Sequence, residues 1–134
     1  MVWHDDRVYP FTIARLLEGF LDIDLLTLSV PGFSWDLIVG GVDQGIVPTV
    51  HPGESVGLSM TVKNSIAKGA LSADNFIIDI TAIGATTGTI FLSETSPEIV
   101  NLALDATSDY STSTFIMPDE NINAEIRTKH WEEF

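Results

Sequence analysis

A mainly β fold, an antiparallel sandwich of about seven or eight strands behind an apolar N-terminal helix, is what this sequence predicts. Three observations carry the prediction. Residues 52–64 (PGESVGLSMTVKN) place Val56, Leu58, Met60 and Val62 on every second position, the period of a half-buried strand. Further alternating runs follow toward the end of the chain, separated by short turns rich in Gly, Pro and Asn. Helices do not alternate with these runs, so hairpin-linked antiparallel pairing is predicted rather than a parallel sheet with crossovers.

In order along the chain, residues 1–9 are polar and mixed. Pro10 suits the first turn of a helix, where its missing N–H costs nothing. Phe11, Ile13, Ala14, Leu16, Leu17, Phe20 and Leu21 are apolar, while Thr12, Arg15, Glu18 and Asp22 recur at helical spacing as one polar stripe. A helix on one sheet needs an apolar stripe of only roughly 100°. This one exceeds it, so it is expected either to be wedged between layers or to bury a second face against another subunit. Residues 23–30 (IDLLTLSV) fit a last helical turn or a short strand, and Pro31-Gly32 ends them. Residues 1–30 are therefore expected to form a helical leader and assembly segment, and residues 31–134 the sandwich.

Within the sandwich, residues 33–39 read as a strand with Phe33, Trp35, Leu37 and Val39 on one side. Gly40-Gly41 permits a bend, and residues 46–50, with Pro48, suit an edge strand before the Pro52-Gly53 turn. Residues 65–73 are a loop or a single helical turn. Residues 75–83 form the next strand with Phe76, Ile78, Ile80 and Ala82 inward, and residues 84–88 turn into 89–92. Residues 98–105 alternate again, with Val100, Leu102 and Leu104 expected inward. After a turn at 106–109, residues 110–117 carry Phe115 and Met117 to one side, and 118–121 turn into a strand begun by Ile122, Ala124 and Ile126.

The 134 residues suit one domain, and 45% of them are hydrophobic, enough for a core. Mean hydropathy is positive, at +0.25. Nineteen acidic against six basic residues give a net charge of −13, a field that repels phosphate backbones and anionic lipid. Nucleic-acid partners are therefore not expected. With no cysteine there are no disulfides, thiolate metal sites or cysteine nucleophiles. No run reaches the roughly 18 apolar residues of a membrane-spanning helix, and the first residues lack a signal-peptide pattern.

The stretch PGESVGLSMTVKN followed by NFIIDITA resembles the second and third strands of immunoglobulin-like accessory domains of prokaryotic surface and virion proteins. The ending STFIMPDENINAEI is similar to the closing hairpin of such domains, a Phe-x-Met-Pro sequence before an alternating strand. The resemblance covers residues 50–130. It implies an immunoglobulin-like sandwich acting as a spacer, an adhesion module or a virion surface part, and it carries no catalytic residue.

Candidate chemistry is sparse. Gly53-Glu54-Ser55-Val56-Gly57 fits G-x-S-x-G, but an esterase elbow follows a strand and opens a helix, whereas here a turn precedes a strand. His4, His51 and His130 are scattered without ligand spacing. The pairs Asp5-Asp6, Asp22/Asp24, Asp119-Glu120 and Glu132-Glu133 sit in no calcium-loop pattern and read as solvated faces. Neither a cofactor nor a metal is expected. Trp35 reads as core, while Trp3 and Trp131, near the two ends of the sequence, suit an interface, where tryptophan is enriched.

These readings converge on a non-enzymatic structural protein, a homo-oligomer or one subunit of a virion or extracellular surface filament. The expected assembly interface is Phe11, Leu16, Leu17, Phe20 and Leu21 with Trp3 and Trp131. The alternative is an extracellular module that binds a glycan or a protein.

Overall fold

A computed structural model describes residues 2–10, 21–65 and 75–132, with side chains placed for 21–65 and 75–130. Its strands are β1 (Val2–Pro10), β2 (Leu21–Val30), β3 (Phe33–Val39), β4 (Val42–Asp43), β5 (Ser55–Asn64) and β6 (Asn75–Gly84). They continue as β7 (Ile90–Thr95), β8 (Ile99–Val100), β9 (Thr107–Ser111), β10 (Phe115–Ile116) and β11 (Ile122–Glu132). One sheet has the order β1-β11-β6-β7, with β8 also on β6. The other runs β10-β5-β2-β3-β4, with β9 also on β5. Every pairing among the described residues is antiparallel.

The two strongest periodicities are where the chain is most regular. Val56, Leu58, Met60 and Val62 of β5 are buried, as are Phe76, Ile78, Ile80 and Ala82 of β6. With Ala124 and Ile126 of β11 and Leu21, Ile23, Leu26 and Leu28 of β2 they form one hydrophobic cluster shared by both sheets. The alternation of β11 continues into polar residues: Thr128 and His130 are also buried. Thr128 Oγ1 donates to the Leu21 carbonyl oxygen at 3.1 Å, which satisfies the hydroxyl and ties the start of β2 to the opposite sheet.

Several expectations are corrected. Pro10 closes β1 opposite Glu125 rather than opening a helix, while Leu21 and Asp22 lie in β2. The remaining positions of the expected helix, 11–20, lie outside the described residues. Residues 23–30 are strand. That is one of the two readings left open for them, and their spacing also fitted a helical turn because Asp24 is an inserted residue: Ile23 stands opposite Val62 and Leu25 opposite Thr61, so Asp24 faces no partner in the ladder. Its carbonyl is taken by the Gly41 N–H at 2.9 Å. Leu37 is a second insertion, since Leu26 faces Ile38 and Thr27 faces Asp36. Leu37 and Ile38 are therefore both buried, and Val39 is turned out. The expected boundary at residue 30 has β1 of one sheet and β2 of the other on its N-terminal side.

Residues 46–50 form no strand. Gly45 adopts a positive φ of 68° and donates its N–H to Asp43 Oδ1 at 2.9 Å, which steers the chain off β4, and Pro48 offers no N–H for a ladder. Residues 98–105 alternate only as far as β8. Asn101 and Asp105 have φ of 55° and 64°, so the chain curls and leaves Val100 (56%) and Leu104 (54%) exposed, with Leu102 packed against the core. Asn64 fastens this curl: its Nδ2 donates to the Leu102 carbonyl at 2.6 Å, its backbone N–H donates to Ala106, and its carbonyl accepts from Asp105. The expected turn at 106–109 is accordingly taken up by β9.

Along one side a polar clasp joins the sheets. Tyr110 of β9 donates its hydroxyl to Glu94 Oε1 of β7 at 2.7 Å, and the Ser113 N–H donates to the same oxygen at 2.9 Å. Burial, and then the Glu94 carboxylate, push the Tyr110 phenol up to about 12. Burial works against the Glu94 carboxylate, but its hydrogen bonds from Tyr110 and Ser113 outweigh it and hold that carboxyl below its usual value. A phenol raised in the folded state contributes stability fully below its unfolded pKa of about 10, and the contribution is lost as pH rises toward about 12. Tyr110→Phe is expected to cost about 1 kcal/mol at neutral pH, low for a bond to a charged group because the pair is partly solvated. It should also flatten the loss of stability above about pH 10. Urea unfolding of both proteins at about pH 8 and about pH 11 checks this.

Candidate functional site

At the end of the two sheets where β5 and β11 begin and β2 stops, an apolar cleft of about 260 Å³ opens between them. Two local devices shape it. The Pro52-Gly53 turn, with Gly53 at φ 91°, lets the Gly53 N–H reach the Met117 carbonyl at 2.9 Å, while the Met117 N–H reaches the Glu54 carbonyl at 2.8 Å. That pair of bonds holds β10 on β5 and sets Phe115 and Met117 into the wall. Phe91 of β7 stacks on Phe115 with ring centroids 6.5 Å apart, an aromatic link between the sheets.

The opposite wall is the irregular segment after β4, which brings Ile46, Val47, Pro48 and Val50 to the cleft. Val47 is 77% exposed and Ile46 40%. The polar side chains in the lining are those of Asn121 and Asn123. Among the described residues no charged group enters the lining. The cleft suits contact with apolar groups held by a few amide hydrogen bonds.

A second concavity, about 380 Å³, lies over β11, β6 and β7 and is charged. Lys129 Nζ stands 2.8 Å from Asp79 Oδ2, Thr95 Oγ1 donates to Asp79 Oδ1, and Arg127 pairs with Glu125 at 2.8 Å. Burial opposes ionisation of Asp79. The hydrogen bonds from Lys129 and Thr95 and the charges of Lys129 and Arg127 outweigh it, so the carboxyl lies below its ordinary value. A carboxylate held ionised in this way is a structural anchor, not a poised proton donor.

Glu120 is an anchor of the same kind. It accepts from the Thr86 and Thr87 N–H groups and from the Thr87 hydroxyl, and these bonds hold its pKa down. Gly84 beside it leaves room, for a Cβ there would stand 2.5 Å from Glu120 Oε1.

Ser55 opens β5 opposite Ile116, with a turn before it and the strand after it, so the G-x-S-x-G pattern lacks the strand-to-helix elbow. His51 is exposed ahead of β5, and His130 is buried in β11. Among the described residues no group of three or more His, Cys, Asp or Glu side chains is placed to hold a metal ion. Among the described residues there is no helix long and apolar enough to cross a membrane. Trp35 is partly buried and meets Phe33 edge-on, with centroids 4.8 Å apart.

Of the expected assembly residues, Leu21 is fully buried in the core, and Phe11, Leu16, Leu17 and Phe20 lie outside the described residues. Trp3 and Trp131, far apart in sequence, occupy directly opposite positions of the β1–β11 ladder. Sequence reasoning missed the cleft. Its one legible signal was Ile46-Val47-Pro48, an apolar run beside a proline that was assigned to an edge strand.

Comparison with family models, with curated proteins and with solved structures finds no match for this chain.

Proposed function

We propose that this chain is a non-enzymatic structural subunit that assembles with copies of itself or with other subunits into a larger particle, a virion component or surface filament. The observation that carries the reading is the uncovered apolar mouth of the end cleft, where Ile46 and Val47 stand exposed on a chain of net charge −13. An apolar rim of this kind on an otherwise acidic surface marks contact with protein.

An immunoglobulin-like sandwich is part of the proposal, and strand order supports it. β2, β5 and β9/β10 follow one another as strands A, B and E do in such a fold. β7, β6, β11 and β1 follow the order C′, C, F and G, with β1 in the place of the last strand. The second reading, a glycan- or protein-binding accessory module, is favoured by the exposed Phe33 ring set against Trp35.

Replacing Ile46 and Val47 together with glutamate should weaken association while leaving the core intact. Burial of such side chains contributes about 1.5–3 kcal/mol each, so the pair shifts the dissociation constant by about a hundredfold or more. Light scattering of wild type and variant over a concentration series, with thermal melting alongside, reads this. A wild type that stays monomeric throughout, with tryptophan fluorescence that responds to oligosaccharide, would move the function to the second reading.

A further inference from the structure

We propose that His4 and His130, with Glu132 as a third ligand, form a zinc site that clips β1 to β11. Spacing along the sequence does not reveal it, because the two histidines stand near opposite ends of the chain. The β1–β11 ladder brings them together.

His4 of β1 stands directly opposite His130 of β11. The register is unbroken there: Val2 faces Glu132, Trp3 faces Trp131 and Asp5 faces Lys129, and the irregularity of the ladder comes later, between Asp5 and Arg7. Directly opposite residues share a face of the sheet, with Cα atoms about 4.5–5.5 Å apart. That face is the inner one. His130 is buried, while alternation puts Lys129 on the outer face, paired with Asp79. Glu132 falls two residues beyond His130 and so on the same face, about 7 Å away along the strand. Across the diagonal its position is about 7–8 Å from His4.

The residue types choose the metal. Imidazole and carboxylate with no thiolate suit zinc, which binds histidine nitrogen at about 2.0–2.1 Å and carboxylate oxygen at about 2.0–2.2 Å. Its filled d shell imposes no geometry of its own, so a site shared by two strands can satisfy it. Zinc takes imidazole in the neutral form, the form that suits a buried position. The net charge of −13 also favours a cation. Arg7, opposite Thr128, adds one positive charge to this part of the ladder, and Glu132 and Asp6, the latter without a partner in it, offset that charge.

The topology gives such a site a task. β1 forms the outer edge of its sheet and belongs to it through β11 alone. An ion shared by His4 and His130 ties that strand at the end of the ladder away from Pro10. The two histidines face each other only when the strands are paired, so zinc binds the folded chain in preference to the unfolded one and stabilises it. The site is complete within one chain and stands apart from the assembly reading.

Calorimetric titration of chelator-treated full-length protein with zinc chloride is expected to show one zinc ion per chain. His4→Ala should weaken binding by more than about a hundredfold, since even groups that only orient a ligand matter by about 10–100-fold. Glu132→Gln should also lower the affinity. His51, exposed ahead of β5, serves as the control, and His51→Ala should bind as wild type does. With zinc at about a hundred times its Kd, the folded-to-unfolded ratio of wild type rises about a hundredfold. Thermal melting should therefore show its midpoint move up with zinc, and that of His4→Ala stay put. X-ray absorption at the zinc edge of the loaded wild type reads the ligands without any substitution, and two imidazoles are expected. The site is overturned if wild type binds no zinc, if His4→Ala binds it as tightly, if His51→Ala loses it, or if the absorption spectrum shows fewer than two imidazoles. Unchanged affinity in Glu132→Gln overturns the part given to the carboxylate.

Discussion

Replacing Phe76 with alanine is expected to cost about 3–5 kcal/mol, the usual range for emptying a core aromatic site. Phe76 is the largest of the fully buried side chains among the described residues, with no exposure at all. It stands opposite His130 of β11 on one side and Ile99 of β8 on the other, so it supports three segments of one sheet at once. A domain of this size has about 5–15 kcal/mol in total, so the variant should melt roughly 10–20 °C lower than wild type. The adjacent Ile77→Thr, on the opposite face of β6 and only half-buried, should lower stability by no more than about 1 kcal/mol. Thermal melts of the two proteins decide it. Equal losses would mean that β6 is not held with Phe76 inward, and the whole inner face of that sheet would be misassigned.

The contrast also shows what could be read from the sequence. β5 and β6 were legible because each holds a period of two without interruption over ten residues. A strand of that kind has one buried face, and nothing but alternation is needed to find it. β2 stayed open between helix and strand, and β3 was found as a strand but with Val39 on the wrong side, because each carries one inserted residue. Asp24 turns a spacing of two into three, and Leu37 puts two consecutive apolar residues on the core side. Alternation fails at such a site for a reason that lies in the partner strand, which a single sequence does not display. Val100 and Leu104 were misread for a different cause, the left-handed turns at Asn101 and Asp105. Asparagine and aspartate tolerate that conformation, so the signal was present and was outweighed by the apolar pattern.

Apart from the apolar run Ile46-Val47-Pro48, nothing in the sequence pointed to the cleft. Its walls come from β2, β5, β10, β11 and the segment after β4, and only the pairing order brings them to one end. The β1–β11 ladder is also non-local, so Trp3 and Trp131 were chosen for their residue type and their places near the two ends of the sequence, not for their juxtaposition.

Deleting Asp24 should leave a folded protein, whereas deleting Thr27 from the same strand should abolish the fold. Removing a residue from mid-strand normally reverses every side chain beyond it, because the period is two. Asp24 is the exception, since it is the unpaired residue between Ile23, opposite Val62, and Leu25, opposite Thr61. Without it, Leu21, Ile23, Leu26 and Leu28 fall on strictly alternate positions and still face the core, as they do now. The loss is the bond from the Gly41 N–H to the Asp24 carbonyl together with some local twist, about 1–2 kcal/mol. Deleting Thr27 instead keeps Leu26 inward, turns Leu28 to solvent and brings Ser29 into its place. Emptying a leucine site costs about 2–5 kcal/mol and burying an unpaired hydroxyl about 1–3 kcal/mol more. That sum reaches the total stability of a domain this size, about 5–15 kcal/mol, before the disturbed pairing of β2 with β3 is counted. Circular dichroism and urea unfolding of both deletion variants give the answer. If the Asp24 deletion unfolds the chain as completely as the Thr27 deletion does, Asp24 is not the inserted residue, and the register between β2 and β5 at the centre of the second sheet has to be redrawn.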